Sequence, residues 1–258
     1  MSETRKILIE ARDLTIGYGD RLVLERINFK VFRGEVFAVL GASGSGKSTL
    51  LKHLIGLYAP VSGDVLISGE SLVHAEGEDR RRILRRFGVL YQSGALFGSL
   101  TTVENVRLPL DEFTELPEEA KDLIALSKLR LVGLETSATK LPADLSGGMQ
   151  KRAGIARAIV LDPCVLFLDE PSAGLDPITS AGLDALIHEL ARGLGITFVM
   201  VTHELASIFS VADRVVVLDP KERAIVAEGP PAWLRENAAL PWVRQFLNRE
   251  KAHEHQDA

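Results

Sequence analysis

Cysteine is nearly absent. Cys164 is the single one in 258 residues, so no intramolecular disulfide and no cysteine-based zinc site can form, and a reducing compartment is expected. Long apolar runs are missing as well. No stretch of about 18 apolar residues occurs, and Met1-Ser2-Glu3-Thr4-Arg5-Lys6 has no apolar core of signal-peptide length. The sequence therefore predicts a chain that does not itself cross a membrane. An excess of positive charge is also lacking. Lys+Arg 30 against Asp+Glu 35 gives a formal net charge of -5, so no whole-chain field exists to hold DNA or RNA without sequence preference. No nucleic-acid partner is expected, and there is no internal repeat or low-complexity segment. What is present is globular: 46% hydrophobic and 25% charged residues, at a length suited to one large α/β domain or two small ones.

Periodicity gives the organisation. Residues 7–40 read as short strands broken by turns, with Ile7-Leu8-Ile9, a turn at Gly17-Tyr18-Gly19-Asp20, and alternation through Ile27 to Phe32. Val36 to Leu40 is apolar on both faces and leads through a glycine-rich run into a helix over Thr49 to Leu57, the grammar of a buried parallel strand feeding a helix. The same grammar returns at Val165 to Leu168, followed by Leu183, Leu186, Ile187 and Leu190 at helical spacing, and again at Thr197 to Val201 and Val215 to Leu218. Between Gln92 and Pro163 no continuous strand separates the helical stretches Glu118 to Leu131 and Gly147 to Leu161, so an inserted helical lobe is expected. Trp233 to Ala258 holds a short amphipathic segment (Trp242, Val243, Phe246, Leu247) and then a polar tail expected to fray.

Gly41-Ala42-Ser43-Gly44-Ser45-Gly46-Lys47-Ser48 fits the P-loop pattern between a strand and a helix. Its glycines let successive amides point at phosphate oxygens, Lys47 reaches the β- and γ-phosphates, and Ser48 ligates Mg²⁺. Asp169 ends the strand Val165 to Leu168 and Glu170 follows directly. Adjacent carboxylates can divide two tasks, a metal-organising group and a general base for water; an acidic helix cap is the plainer alternative. His203 follows the next strand and can contact the γ-phosphate or serve as a structural hydrogen bonder. Ser146 is a plausible N-cap for a helix opening with Gly147 and Gly148, a second phosphate-reading helix start or an ordinary capped helix.

With these strings in this order, the chain resembles the ATP-binding cassette (ABC) ATPases over nearly its whole length. The resemblance implies an α/β fold, a P-loop NTPase of the ABC type with a RecA-like parallel sheet core, an antiparallel β subdomain and an inserted α-helical subdomain. The implied division is 1–92 and 163–232 for the core with its antiparallel part, 93–162 for the helical part with the signature, and 233–258 for a C-terminal tail. It further implies ATP and Mg²⁺ as ligands. Tyr18 resembles the aromatic that stacks on adenine; Gly41, Ser43, Gly44, Gly46, Lys47, Ser48 and Thr49 resemble the phosphate loop. Gln92 resembles the glutamine that senses Mg²⁺ and γ-phosphate, Leu145 to Met149 the signature, Ala173 to Asp176 the D-loop, and His203 the switch histidine. Metal ligation falls to Ser48, Gln92 and Asp169, and hydrolysis to Glu170, His203 and Gln92. Taken singly, Tyr18 is equally a turn aromatic packed on the sheet and Gln92 an exposed strand-end amide. The fifth signature position is a departure, because Met149 stands where glutamine is usual and Gln150 follows. The backbone donors of Gly147 and Gly148 are untouched by it.

Gln92-Ser93-Gly94-Ala95-Leu96-Phe97, Val106 to Leu110, Leu116-Pro117 and the Met149 signature resemble the ATPases of Mla/MCE-type lipid transporters. The ABC resemblance implies a head-to-tail homodimer, and the narrower likeness a transmembrane permease, an MCE-domain substrate-binding protein and, as is often found in such systems, a small STAS-domain partner. The place implied is cytoplasmic, peripheral on the cytoplasmic face of the inner membrane. An amino-acid or other polar-solute importer is the alternative system. Leu96 and Phe97 either dock a permease or fill the lobe's own core. The run Arg80-Arg81-Arg82 with Arg85 and Arg86 reads as a solvated helix face or a contact for anionic headgroups. Cys164 reads as a small apolar residue on the nucleotide strand, and His253 and His255 as solvent-exposed.

Overall fold

The computed structural model describes residues 5–19 and 21–248; the Met1–Lys6 segment lies partly outside these, and His253, His255 and the polar tail wholly so. The chain opens with β1 (Ile7–Tyr18), β2 (Arg21–Phe32), β3 (Val36–Gly41), α1 (Lys47–Leu54), β4 (Ser62–Ile67), β5 (Glu70–Ser71), α2 (Gly77–Leu84) and β6 (Phe87–Leu90). Helices α3 (Thr102–Phe113), α4 (Glu118–Leu131) and α5 (Gly147–Ala158) follow, with 3-10 turns at Glu135–Ser137 and Pro142–Asp144. Then come β7 (Val165–Asp169), α6 (Pro177–Leu194), β8 (Thr197–Val201), α7 (Leu205–Val211), β9 (Arg214–Asp219), β10 (Ala224–Gly229), α8 (Pro231–Asn237) and α9 (Pro241–Leu247).

Two sheets form. One is antiparallel in the order β2-β1-β4-β5; the other runs β10-β9-β3-β8-β7-β6 and is parallel except for its edge strand β10. The expected α/β class, with a parallel sheet and a separate antiparallel one, is therefore met. Strand β3 shows why its sequence carries no alternation: both faces are covered. Phe37 and Val39 pack with Leu50, Leu51 and Leu54 of α1 and with Leu14, Ile16 and Leu24 of the antiparallel sheet. Val36, Ala38 and Leu40 face a second core that holds Ile155 of α5 and Leu183, Ile187 and Leu190 of α6. Each fully buried Leu or Ile there contributes on the order of 1.5–3 kcal/mol.

The structure corrects several local expectations. The short strands expected at the N-terminus are two 12-residue strands, β1 and β2, in one hairpin. Their alternation is broken by bulges, with left-handed backbone at Asp13 (φ 44) and Arg26 (φ 50). Asn28 bridges the first bulge by accepting from the Asp13 amide at 2.9 Å, and Thr15 Oγ1 accepts from the Arg26 amide at 3.1 Å. Helix α1 starts at Lys47 and stops at Leu54, three residues short of Leu57. Helix α3 was not anticipated, because Pro109 lies inside it and reads as a breaker. A capping box opens it: Thr101 Oγ1 accepts from the Glu104 amide and Glu104 accepts from the Thr101 amide.

The arginine run is largely a solvated face, with Arg81, Arg82 and Arg85 exposed, but several of its charges are already paired. Arg80 donates to the carbonyls of Leu72 and Gly56, Arg82 bridges Asp79 and Glu70, and Arg86 pairs with Glu70. Cys164 precedes β7 instead of lying on it; half-buried, its thiol donates to the Arg86 carbonyl at 3.2 Å, and burial raises its pKa. Trp242, Val243, Phe246 and Leu247 do lie on one helix, α9, with Val243 and Leu247 in the core. No helix among the described residues is long and apolar enough to cross a membrane.

Helix starts differ in one respect. Thr101, Ser146 and Asp176 cap α3, α5 and α6 with side-chain oxygens, whereas α1 begins at Gly46 (φ 95) with no side-chain cap, as do α2, α4, α7, α8 and α9 from other residues.

Candidate active site

The C-terminal ends of β3, β6, β7 and β8 deliver the candidate residues to one rim, the position at which open parallel sheets bind ligands. A cavity of ≈ 700 Å³ there is lined by Tyr18, Gly41, Ser43, Gly44, Gly46, Lys47, Ser48, Thr49, Gln92, Glu170 and His203, all of them selected from the sequence. The loop that crosses its floor needs glycine at Gly46: its backbone is left-handed, and a Cβ there would stand 2.5 Å from Val23. Lys47 is buried, and its Nζ donates to the carbonyls of Gly41 at 2.9 Å and Ala42 at 3.1 Å. Burial lowers its pKa, while the Glu170 and Asp169 carboxylates work in the opposite direction. A desolvated cation beneath a ring of loop amides is a strong anchor for phosphate oxygens.

Asp169 does not line the main cavity. It accepts from Ser48 Oγ at 3.0 Å and shares a neighbouring cleft with Gln92. Burial raises the Asp169 pKa, and the Ser48 hydroxyl opposes that shift. A hydroxyl, a half-desolvated carboxylate and an amide oxygen form a hard-oxygen donor set that suits Mg²⁺. That ion is held by one or two carboxylates and substrate phosphates in preference to an all-protein cage. No group of three or more His, Cys, Asp or Glu side chains able to hold a metal occurs among the described residues.

Glu170 is buried and its backbone is left-handed at φ 48, uncommon for a residue with a Cβ. Its amide donates to the Val201 carbonyl at 2.8 Å, and His203 Nδ1 lies 2.9 Å from its carboxylate. The His203 ring is otherwise exposed. Tyr18 is 44% exposed; its hydroxyl donates to Thr49 Oγ1 at 3.3 Å and its ring meets Tyr58 edge-on at 5.5 Å, with His53 behind both.

Ser146, Gly147 and Gly148 are not brought to this cavity. Ser146 caps α5 by accepting from the Met149 amide at 3.3 Å, and it and Gly147 are exposed. Gly148 packs on Thr179, where a Cβ would approach to 2.3 Å. The Met149 departure is explained locally. Met149 packs on the core, while Gln150 folds back and donates to the Pro142 and Leu145 carbonyls at 3.0 and 3.3 Å.

Sequence reasoning missed Arg21, Val23 and Phe246 on the cavity wall, while Ala42 belongs to the loop it identified. The first two follow Tyr18 in the same hairpin and were findable; Phe246 arrives from α9, with no local signal. Lys151, on α5, was also missed: its Nζ donates to the main-chain carbonyls of Gln92 and, at 3.2 Å, Glu170.

A profile of the ABC transporter family matches residues 24–173. This chain belongs to that family. The ABC chain is 40% identical over 248 residues to the intermembrane phospholipid transport ATP-binding protein MlaF of Escherichia coli, covering 96% of this chain and 91% of that one. It is 39% identical over 243 residues to the protein of the same name from Haemophilus influenzae. It is also 41% identical to a probable ribonucleotide transport ATP-binding protein, mkl, of Mycobacterium leprae, covering 94% of this chain and 69% of that protein. Among solved structures, the ABC chain superposes on a dimeric ATP-binding cassette in a post-hydrolysis state bound to ADP and Pi, with TM-score 0.77 and 29% identity over 86% of its length and 98% of the other chain. A second neighbour is cbiO1 of Clostridium perfringens, part of an ABC transporter complex, with TM-score 0.81 and 30% identity over 95% of this chain and 97% of that one. The chain is an ATPase of the ABC type.

Proposed function

We propose that this ATPase powers phospholipid or related lipid transport through an Mla/MCE-type permease. The observation that carries its hydrolytic part is the convergence of Lys47, Ser48, Gln92, Glu170 and His203 on one cavity, with Asp169 bonded to Ser48. The lipid cargo is supported by likeness to proteins named for intermembrane phospholipid transport over nearly the whole chain. Reconstitution with the co-encoded permease and MCE-domain protein tests it: ATP-dependent movement of a labelled phospholipid is the expected result. Transport of a polar solute in its place, dependent on a periplasmic solute-binding protein, refutes the lipid reading.

In this reading Tyr18 stacks on adenine, and the P-loop amides from Gly41 to Thr49 with the Lys47 ammonium hold the phosphates. Ser48, Asp169 and Gln92 would hold Mg²⁺, which when bound neutralises charge on the β- and γ-phosphates. Glu170 takes the proton from the attacking water, and His203, bonded to that carboxylate, fixes its orientation. Ser146 to Gly148 serve the nucleotide of a second copy arranged head to tail, which accounts for their distance from the cavity of their own chain. Residues 1–92 and 163–232 act as the nucleotide core with its antiparallel part, 93–162 as the helical part and 233–258 as a tail. The place is the cytoplasmic face of the inner membrane, beside a permease, an MCE-domain protein and a small STAS-domain partner.

Two substitutions probe this reading. Tyr18→Ala removes a stacking platform worth about 1–3 kcal/mol, so ATP affinity should fall by roughly 5- to 100-fold in a titration with labelled nucleotide. Phe97→Ala addresses coupling. Leu96 packs on the core, but Phe97 is 58% exposed, its main chain pinned by the Asn105 amide. Leu96 thus fits the core reading, and the exposed Phe97 is the residue on which the docking reading rests. The variant should melt within about 2 °C of the parent, bind ATP, and fail to co-purify with permease. Retained co-purification excludes Phe97 from the joint.

A further inference from the structure

Lys151 lies in the second turn of α5, the helix opened by Ser146, yet it is only 5% exposed. Its ammonium donates to the carbonyls of Gln92 and Glu170, which are 59 and 19 positions away in the chain. One acceptor follows β6 and the other follows β7, so a single side chain joins two segments that line the cavity. Glu170 makes the contact consequential. Its left-handed backbone is held on the amide side by the Val201 carbonyl and on the carbonyl side by Lys151. A buried ammonium that served only to fill space would be replaced at lower cost by an apolar chain of the same length. Here it donates to main-chain acceptors at two strand ends, sharing the Glu170 carbonyl with the Ala173 amide at 3.2 Å.

We propose that Lys151 is a positioning residue that holds the Gln92 and Glu170 main chain in the geometry required for water activation. This rests on the reading of Glu170 as the hydrolytic base. The ammonium touches no reacting atom; it acts through the two peptide groups it joins, and it links them to the helix that presents Ser146 to a second copy.

The test uses the full chain, with ATPase kinetics and melting temperature measured for Lys151→Met, Lys151→Arg, Arg152→Met and Glu170→Gln. Arg152 is the control: its guanidinium also holds two carbonyls, of Val132 and Gly182, but away from the cavity. Lys151→Met should lower kcat by about 10- to 100-fold with KM for ATP little changed, and Lys151→Arg should restore most of the loss. Arg152→Met should lower the melting temperature and leave the kcat of the folded protein intact. A Lys151→Met enzyme with parental kcat, or one indistinguishable from Arg152→Met, overturns the proposal. Should Lys151→Met not fold, Lys151→Gln is measured in its place against the same criteria. An active Glu170→Gln protein defeats the base assignment itself, whereas an inactive Glu170→Gln beside a fully active Lys151→Met defeats only the positioning role.

Discussion

Glu170→Gln is expected to bind ATP with parental affinity and to lose hydrolysis by about 10²–10⁴-fold. Glutamine preserves the volume, the tolerance of left-handed backbone and the ability to accept from His203 Nδ1, which lies 2.9 Å from the present carboxylate. It cannot take a proton from water. Folding should be unaffected, so an unchanged melting temperature separates this chemical defect from a structural one. With turnover blocked, ATP and Mg²⁺ should hold two copies together, each nucleotide engaged by the Ser146 to Gly148 segment of the other, and light scattering should report the doubled mass. Near-parental steady-state ATPase would remove Glu170 from the role of base.

The second large effect is on folding. Gly88 lies in β6 beneath the last turn of α5, and a Cβ at that position would stand 2.0 Å from the Ala158 carbonyl oxygen and 2.6 Å from its carbon. Both are main-chain atoms, so no rotamer change relieves the clash. Strand and helix must separate. Gly88→Ala should therefore cost about 3 kcal/mol or more, lowering the melting temperature by roughly 6–12 °C. Gly98→Ala is the matched control, since a Cβ there meets nothing within 4 Å; its melting temperature should equal that of the parent. Because β6 leads directly into Gln92, the folded fraction of Gly88→Ala protein should also turn ATP over slowly. Parental stability in Gly88→Ala would mean that the β6–α5 contact is looser than this packing implies.

The nucleotide loop was legible because its chemistry lies in consecutive residues. Glycine, lysine and serine at fixed offsets after an apolar strand state the backbone shape and the ligand together. Asp169 and Glu170 were legible for a related reason, since adjacent carboxylates closing a strand apolar on both faces stand out in the sequence, although both are buried. Length and continuity were harder. The bulges at Asp13 and Arg26 interrupt the alternation that would have revealed two long strands, and Pro109 concealed α3 although Thr101 and Glu104 announced its start. Lys151 and Phe246 were beyond reach, because each acts on segments far away in the chain and nothing beside either residue distinguishes it from a surface lysine or a core aromatic. Met149 illustrates the converse: an apparent irregularity in the signature becomes ordinary once Gln150 is seen bonded to the preceding loop.

Helix α1 differs from α3, α5 and α6 in bringing no side-chain oxygen to its own first turn. Unlike the other helices that lack such a cap, α1 opens on the cavity wall at Gly46, Lys47 and Ser48, where an anionic oxygen supplied from outside can complete its leading amides. Substrate and fold are then thermodynamically linked, because whatever fills that end stabilises the folded chain by mass action. Hydrolysis and product loss reopen the helix end at every cycle. In the proposed reading, the loaded protein should therefore melt at a higher temperature than the spent one.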